Sequence, residues 1–115
     1  MTCKDIENIL KNVGINVYKP GEYEGTCKES YCVIAPAGSF TFAGSNTHTG
    51  YSLIDVYVFV PVTNYYKLAP LIEKIKNALD KDNRLRFTGN IEPLTIDNTY
   101  KSCTQSLEYQ ILHRN

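Results

Sequence analysis

The segment Tyr51–Pro61 (YSLIDVYVFVP) is apolar on both of its faces and runs directly into an amphipathic stretch, TNYYKLAPLIEKIKNAL. No other feature constrains the fold of this 115-residue chain so tightly. In extended backbone, successive side chains point to opposite faces. Ile54, Val56, Val58 and Val60 therefore form one row, and Tyr51, Leu53, Tyr57 and Phe59 the other, interrupted by Asp55. A sheet covered on one side needs only one apolar row. The following helix covers one row. The second needs a different cover, and in a protein this small another subunit can supply it.

The length fits a single domain over residues 1–115, and 43% hydrophobic residues support one modest core. Twelve basic and twelve acidic side chains cancel, and no Lys/Arg block stands out. That argues against sequence-specific nucleic-acid binding, which leaves a basic footprint. No apolar run reaches the length of a membrane span. The start, MTCKDIENIL, reads as a polar helix rather than a secretory signal, so a cytoplasmic setting is expected. Nine tyrosines and no tryptophan suit a surface built for contacts, since the ring supplies area and the hydroxyl tolerates water. The expectation for Cys3, Cys27, Cys32 and Cys103 is reduced thiols, some of them buried. Cys27 and Cys32 have a spacing unlike a zinc pair, though a disulfide across a turn is open to them.

Ile6, Ile9, Leu10 and Val13 recur at helical spacing, so a short helix is expected over 3–13, stopped by Gly14. Ile15–Tyr18 reads as a brief extended piece and residues 19–30 as a polar loop or weak hairpin. Tyr31–Pro36 reads as a strand. Residues 37–50 carry Phe40 and Phe42 among small polar residues, and read either as a long functional loop or as a short β arm. In the 63–80 helix, Thr63 or Asn64 is the expected cap and Leu68, Leu71, Ile72, Ile75 and Leu79 the buried stripe. Pro70 sits badly inside a helix begun at 64. Either the first turn is irregular or the helix starts near Ala69. Leu85 and Phe87 begin a strand that Gly89 breaks, 93–96 is extended, and Asp97-Asn98 turns. Tyr100–His113 alternates an apolar face (Cys103, Leu107, Tyr109, Ile111) with a polar one. This order predicts an α+β fold: a mainly antiparallel sheet of four to five strands with two helices packed on one face.

Catalytic signatures are missing: there is no G-x-S-x-G, no HExxH and no Walker A, and the two histidines sit in a Gly/Ser/Thr loop and near the C-terminus. Cys103 falls on the apolar face of a strand, where a buried structural thiol is expected. Asp55 invites a base or interface role, or a structural one through Lys101, a backbone donor or a sheet edge. No enzyme activity, metal or cofactor is expected. Phe40 and Phe42 lack the neighbouring cations of a single-strand nucleic-acid platform, so a protein partner suits them better.

The N-terminal amphipathic helix, the VIAP strand, the continuous DVYVFVPVTNYYKLAPLIEKIKNAL, the TG turn and the closing KSCTQSLEYQI strand together resemble the tail terminator (tail completion) proteins of tailed bacteriophages and phage-tail-like particles. The resemblance covers most of the chain and rests on element order and hydrophobic pattern. It implies a structural protein of the virion tail or neck, assembled in the bacterial host cytoplasm. Such a protein forms a homo-oligomeric ring, a hexamer in that family, which caps the tail tube, ends its polymerisation and offers a docking face to the head–tail connector. The tail tube protein and, in contractile systems, the sheath protein become expected partners. A heterologous ring interface would explain how so small a subunit completes its burial. Candidate contact residues for subunit or tube are Phe40, Phe42, Tyr51, Asp55, Tyr57 and Phe59, with the 19–30 loop as a second candidate.

Overall fold

The structure, a computed structural model, describes the backbone of residues 2–41 and 50–113 and the side chains of 2–36 and 51–112. Helix α1 spans Cys3–Asn12 and buries Ile6 and Leu10. At its start the Thr2 backbone N–H donates to the Asp5 carboxylate at 2.7 Å. It ends in a Schellman arrangement: the Ile15 N–H reaches the Leu10 carbonyl at 3.1 Å and the Gly14 N–H the Lys11 carbonyl at 3.0 Å. Gly14 has the positive φ of 84° that this ending requires.

The strands are β1 (Val17–Tyr18), β2 (Tyr31–Thr41), β3 (Gly50–Pro61), β4 (Leu85–Ile91), β5 (Thr95–Asp97) and β6 (Ser102–His113). They form one sheet in the order β1-β2-β3-β6-β4, with β5 also alongside β6. Only β1 pairs in parallel; the other ladders are antiparallel. The architecture is thus the expected α+β sheet with helices. It has six strands among the described residues, because β1 and β5 are very short additions.

β2 and β3 extend the ladder well beyond the predicted strand end, out to Thr41 opposite Gly50, with an irregularity between Pro36 and Gly38. The β-arm reading of this region is therefore the one observed up to Thr41. Gly89 does not end its strand. With φ 92° it lies inside β4 at a bulge, and pairing resumes at Ile91 opposite Leu107.

The second helix begins later than its expected caps. Val62–Lys67 form a 3-10 turn in which Asn64 is non-helical (φ −116°, ψ 33°), and α2 then spans Leu68–Leu79. Neither Thr63 nor Asn64 caps it; Lys67 occupies the cap position and makes no side-chain capping bond. Pro70 becomes the third helical residue, where its missing N–H is one the helix would leave unpaired anyway.

Both helices lie on one side of the sheet, α1 over β1 and β2, α2 over β3 and β6. Ile54, Val56, Val58 and Val60 are buried there, with Cys103, Leu107, Tyr109 and Ile111 from β6 and Ile72, Ile75 and Leu79 from α2. The predicted inward row of β3 and the apolar face of β6 are therefore the core.

Candidate functional site

Among the described residues the opposite side of the sheet has no helical layer. Strand alternation places Tyr51, Leu53, Asp55, Tyr57 and Phe59 on it, and all five are only half-buried. Their register partners on β6 are Leu112 and then Gln110, Glu108, Ser106 and Thr104, four members of the polar row read from the sequence. On the β2 side Ala35 faces Asp55, Val33 faces Tyr57 and Tyr31 faces Phe59. The Phe40 backbone pairs with Tyr51 at the far end of the ladder. Phe42 lies outside the described residues.

Among the described residues this face is covered at one end only, and by the chain itself. The 19–30 loop folds back over it through an aromatic stack. Tyr31 stacks on Phe59 with ring centroids 4.7 Å apart, Tyr23 stacks on Tyr31 at 4.2 Å, and Tyr18 meets both edge-on. The loop is tied down by its polar groups. The Lys28 N–H donates to the Tyr23 hydroxyl at 3.0 Å, the Cys27 N–H to the Tyr100 carbonyl at 2.8 Å, and the Tyr18 hydroxyl donates to Glu29. Tyr31 is buried in the stack, and that burial pushes its phenol up to about 12. Phe59 therefore has a cover within the subunit, which the doubly apolar strand alone did not reveal.

Beyond the stack the face opens into a groove of about 640 Å³, lined by Tyr23, Tyr31, Tyr57, Phe59 and Tyr100 with Lys19, Glu24 and Asp97 at its rim. Further along, Asp55 stands directly opposite Glu108. Lys101 is not the partner of Asp55: it sits in the tight turn before β6, at φ 52°. Burial first, then the charges of Glu108 and Glu92, hold the Asp55 carboxyl above its ordinary range, partly offset by a hydrogen bond with Tyr57. Glu108 accepts a neutral donor, Asn90 Nδ2, at 3.0 Å. Arg86 shares this face, opposite Gln110, but no ion pair joins it to either acid.

Cys103 lies on the helix side of the sheet, fully buried, so it and Asp55 are separated by the sheet itself. All four cysteines are free thiols. Among the described residues no three His, Cys, Asp or Glu side chains converge on a metal-sized space, and no helix is long and apolar enough to cross a membrane.

The Asp55–Glu108 pairing escaped the sequence reading because cross-strand register is not local information. Tyr23 and Tyr31 escaped it because they come from a loop and from a different strand. The one available signal was the excess of tyrosine.

No protein-family model and no curated protein matches the chain. Several solved structures match it; one of them does so over 97% of each chain, with a TM-score of 0.50 and 13% sequence identity. At that identity the likeness shows the fold alone. The class defined by fold and face is a small α+β domain with one side of its sheet closed by helices and the other half-open.

Proposed function

We propose that the chain is a structural subunit of the tail terminator type, forming a ring that caps a phage tail tube, stops tube polymerisation and presents a docking face to the head-side connector. The observation that carries this reading is the half-exposed row Tyr51, Leu53, Tyr57 on the helix-free side of the sheet. A monomer gains nothing by leaving such a row wet, because each square ångström of apolar surface buried is worth roughly 25 cal/mol. A subunit that buries it against a neighbour recovers that energy on assembly. Interface cores are enriched in Tyr and Phe for the same reason. The element order that resembles tail terminators points the same way. Asp55, Tyr57 and Tyr51 are the proposed contact residues, while Phe59 contributes through the stack that shapes the groove.

A second reading, a peptide- or ligand-binding module, draws on the tyrosine-lined groove, since pockets of this size suit small ligands. Light scattering on the purified protein, alone and with tail tube protein, separates the two. A ring subunit gives a multiple of the monomer mass, or joins the tube, and shows annular particles by negative stain. A strict monomer that ignores tube protein speaks for the module.

A further inference from the structure

The half-open face carries charge as well as aromatic area, and the charge is lopsided. At one end Asp55 and Glu108 oppose each other, with Glu92 close enough to raise the Asp55 carboxyl and Arg86, opposite Gln110, as a cation on the same face. At the other end the groove rim holds Asp97 and Glu24, with Lys19 the cation among its lining residues. Like charges directly opposite on a sheet are destabilising, and no Lys or Arg in the described part of the fold forms an ion pair with Asp55 or Glu108.

The helical side is complementary. Lys67, Lys74 and Lys81 lie seven residues apart along α2 and its two flanks, all exposed, and none is in an ion pair. Glu73 on the same helix is paired with Lys76, which leaves Asp80 as the opposing acid. The spacings also agree. Asp55 and Pro61, the position in register with the Ser102–Asp97 pair, are six residues apart on β3, which is about 20 Å. Lys67 and Lys81 bracket α2, whose 12 residues are about 18 Å long.

We propose that the open face receives the lysine-bearing flank of α2, the flank beside the end of α1, from a second copy of the chain, with the Lys67–Lys74–Lys81 row laid along the groove between the Asp55–Glu108 end and the Asp97 end. The contact joins two different surfaces, so each subunit keeps one of each free, and repetition yields a ring or a filament. This deepens the ring-subunit reading and rests on it.

Exchanging charges tests the contact. D55K/E108K keeps two like charges opposite each other, a juxtaposition this sheet already accommodates; K67E/K74E/K81E alters only exposed positions. Circular dichroism and thermal melting first establish that both variants fold. By light scattering at low salt, each variant alone is expected to run at monomer mass, because its two surfaces now carry the same sign. An equimolar mixture is expected to recover the wild-type assembled mass, since both contacts regain opposite signs. Wild-type assembly by either variant alone overturns the pairing and leaves the ring reading standing. A mixture that stays monomeric also overturns it. Wild-type protein that remains monomeric, with and without tube protein, overturns the ring reading and the pairing together.

Discussion

Asp55 and Glu108 face each other across the β3–β6 ladder on the side of the sheet without helices, two carboxylates in direct register. Burial and its acidic neighbours raise the Asp55 carboxyl above its ordinary range. An acid whose folded value is raised is easiest to accommodate when protonated. Its stability benefit is therefore fully present below the ordinary carboxylate pKa and is lost as pH rises through the raised one.

Asp55→Asn removes that loss. The variant is expected to be more stable than wild type at pH 7 by about 0.5 kcal/mol, the scale of a like-charge cross-strand pair. The gain should fade as pH falls below the ordinary carboxylate range. Urea unfolding at pH 7 and pH 3 measures both ends. Destabilisation at pH 7 would mean that the bond with Tyr57 outweighs the repulsion.

Tyr57 and Phe59 are neighbours on one row with different duties. Phe59 stacks on Tyr31 inside the subunit, whereas Tyr57 borders the open groove. Phe59→Ser is expected to destabilise the monomer by about 2 kcal/mol, since it removes a partly buried ring and one floor of an aromatic stack. Tyr57→Ser is expected to cost the monomer under about 1 kcal/mol and to weaken assembly more than Phe59→Ser does per unit of lost stability. Chemical denaturation beside light scattering reads both. Equal losses of monomer stability would place Tyr57 in the subunit's own core.

Much of this was legible in the sequence because period-two alternation reports on faces. Alternation alone places the inward rows of Ile54 to Val60 and Cys103 to Ile111 in the core, and they are there. The α2 stripe was legible for the same reason at helical period. Asp55–Glu108 and Tyr31–Phe59 were not, because both depend on register between strands distant in sequence. The late start of α2 is legible from Pro70, which points to an irregular first turn or a start near Ala69; the cap position is not. Thr63 and Asn64 have cap chemistry, but the Pro61–Lys67 path turns as a 3-10 segment before the helix proper. Gly89 looked like a strand end because a bulge and a break share the same residue signature.

On the helix side, Tyr109 is fully buried and its hydroxyl has no hydrogen-bond partner among the described residues. Its ring lies 5.3 Å from Phe87, whose own face carries the Lys76 ammonium at 5.0 Å. A buried hydroxyl without a partner costs about 1–3 kcal/mol relative to its absence. Tyr109→Phe keeps the ring contacts and deletes the hydroxyl, so it should raise unfolding free energy by about 1 kcal/mol. A loss of stability in the denaturant midpoint would show that the hydroxyl is bonded after all.

The thiols report on the same core without disturbing it. Cys32 and Cys103 have no exposed surface, and burial pushes the Cys32 thiol up to about 12. Burial also raises Cys27 and Cys3, but Cys3 is only half-buried. Only the thiolate attacks a disulfide reagent, so reaction needs both access and ionisation. At pH 8 the native protein should therefore label first at Cys3, with Cys32 and Cys103 modified only as fast as the sheet opens. All four cysteines should react at once in concentrated guanidinium. Peptide mapping after timed labelling assigns the order. Early modification of Cys32 in folded protein would contradict the seal that α1 and the β1–β2 pairing place over it.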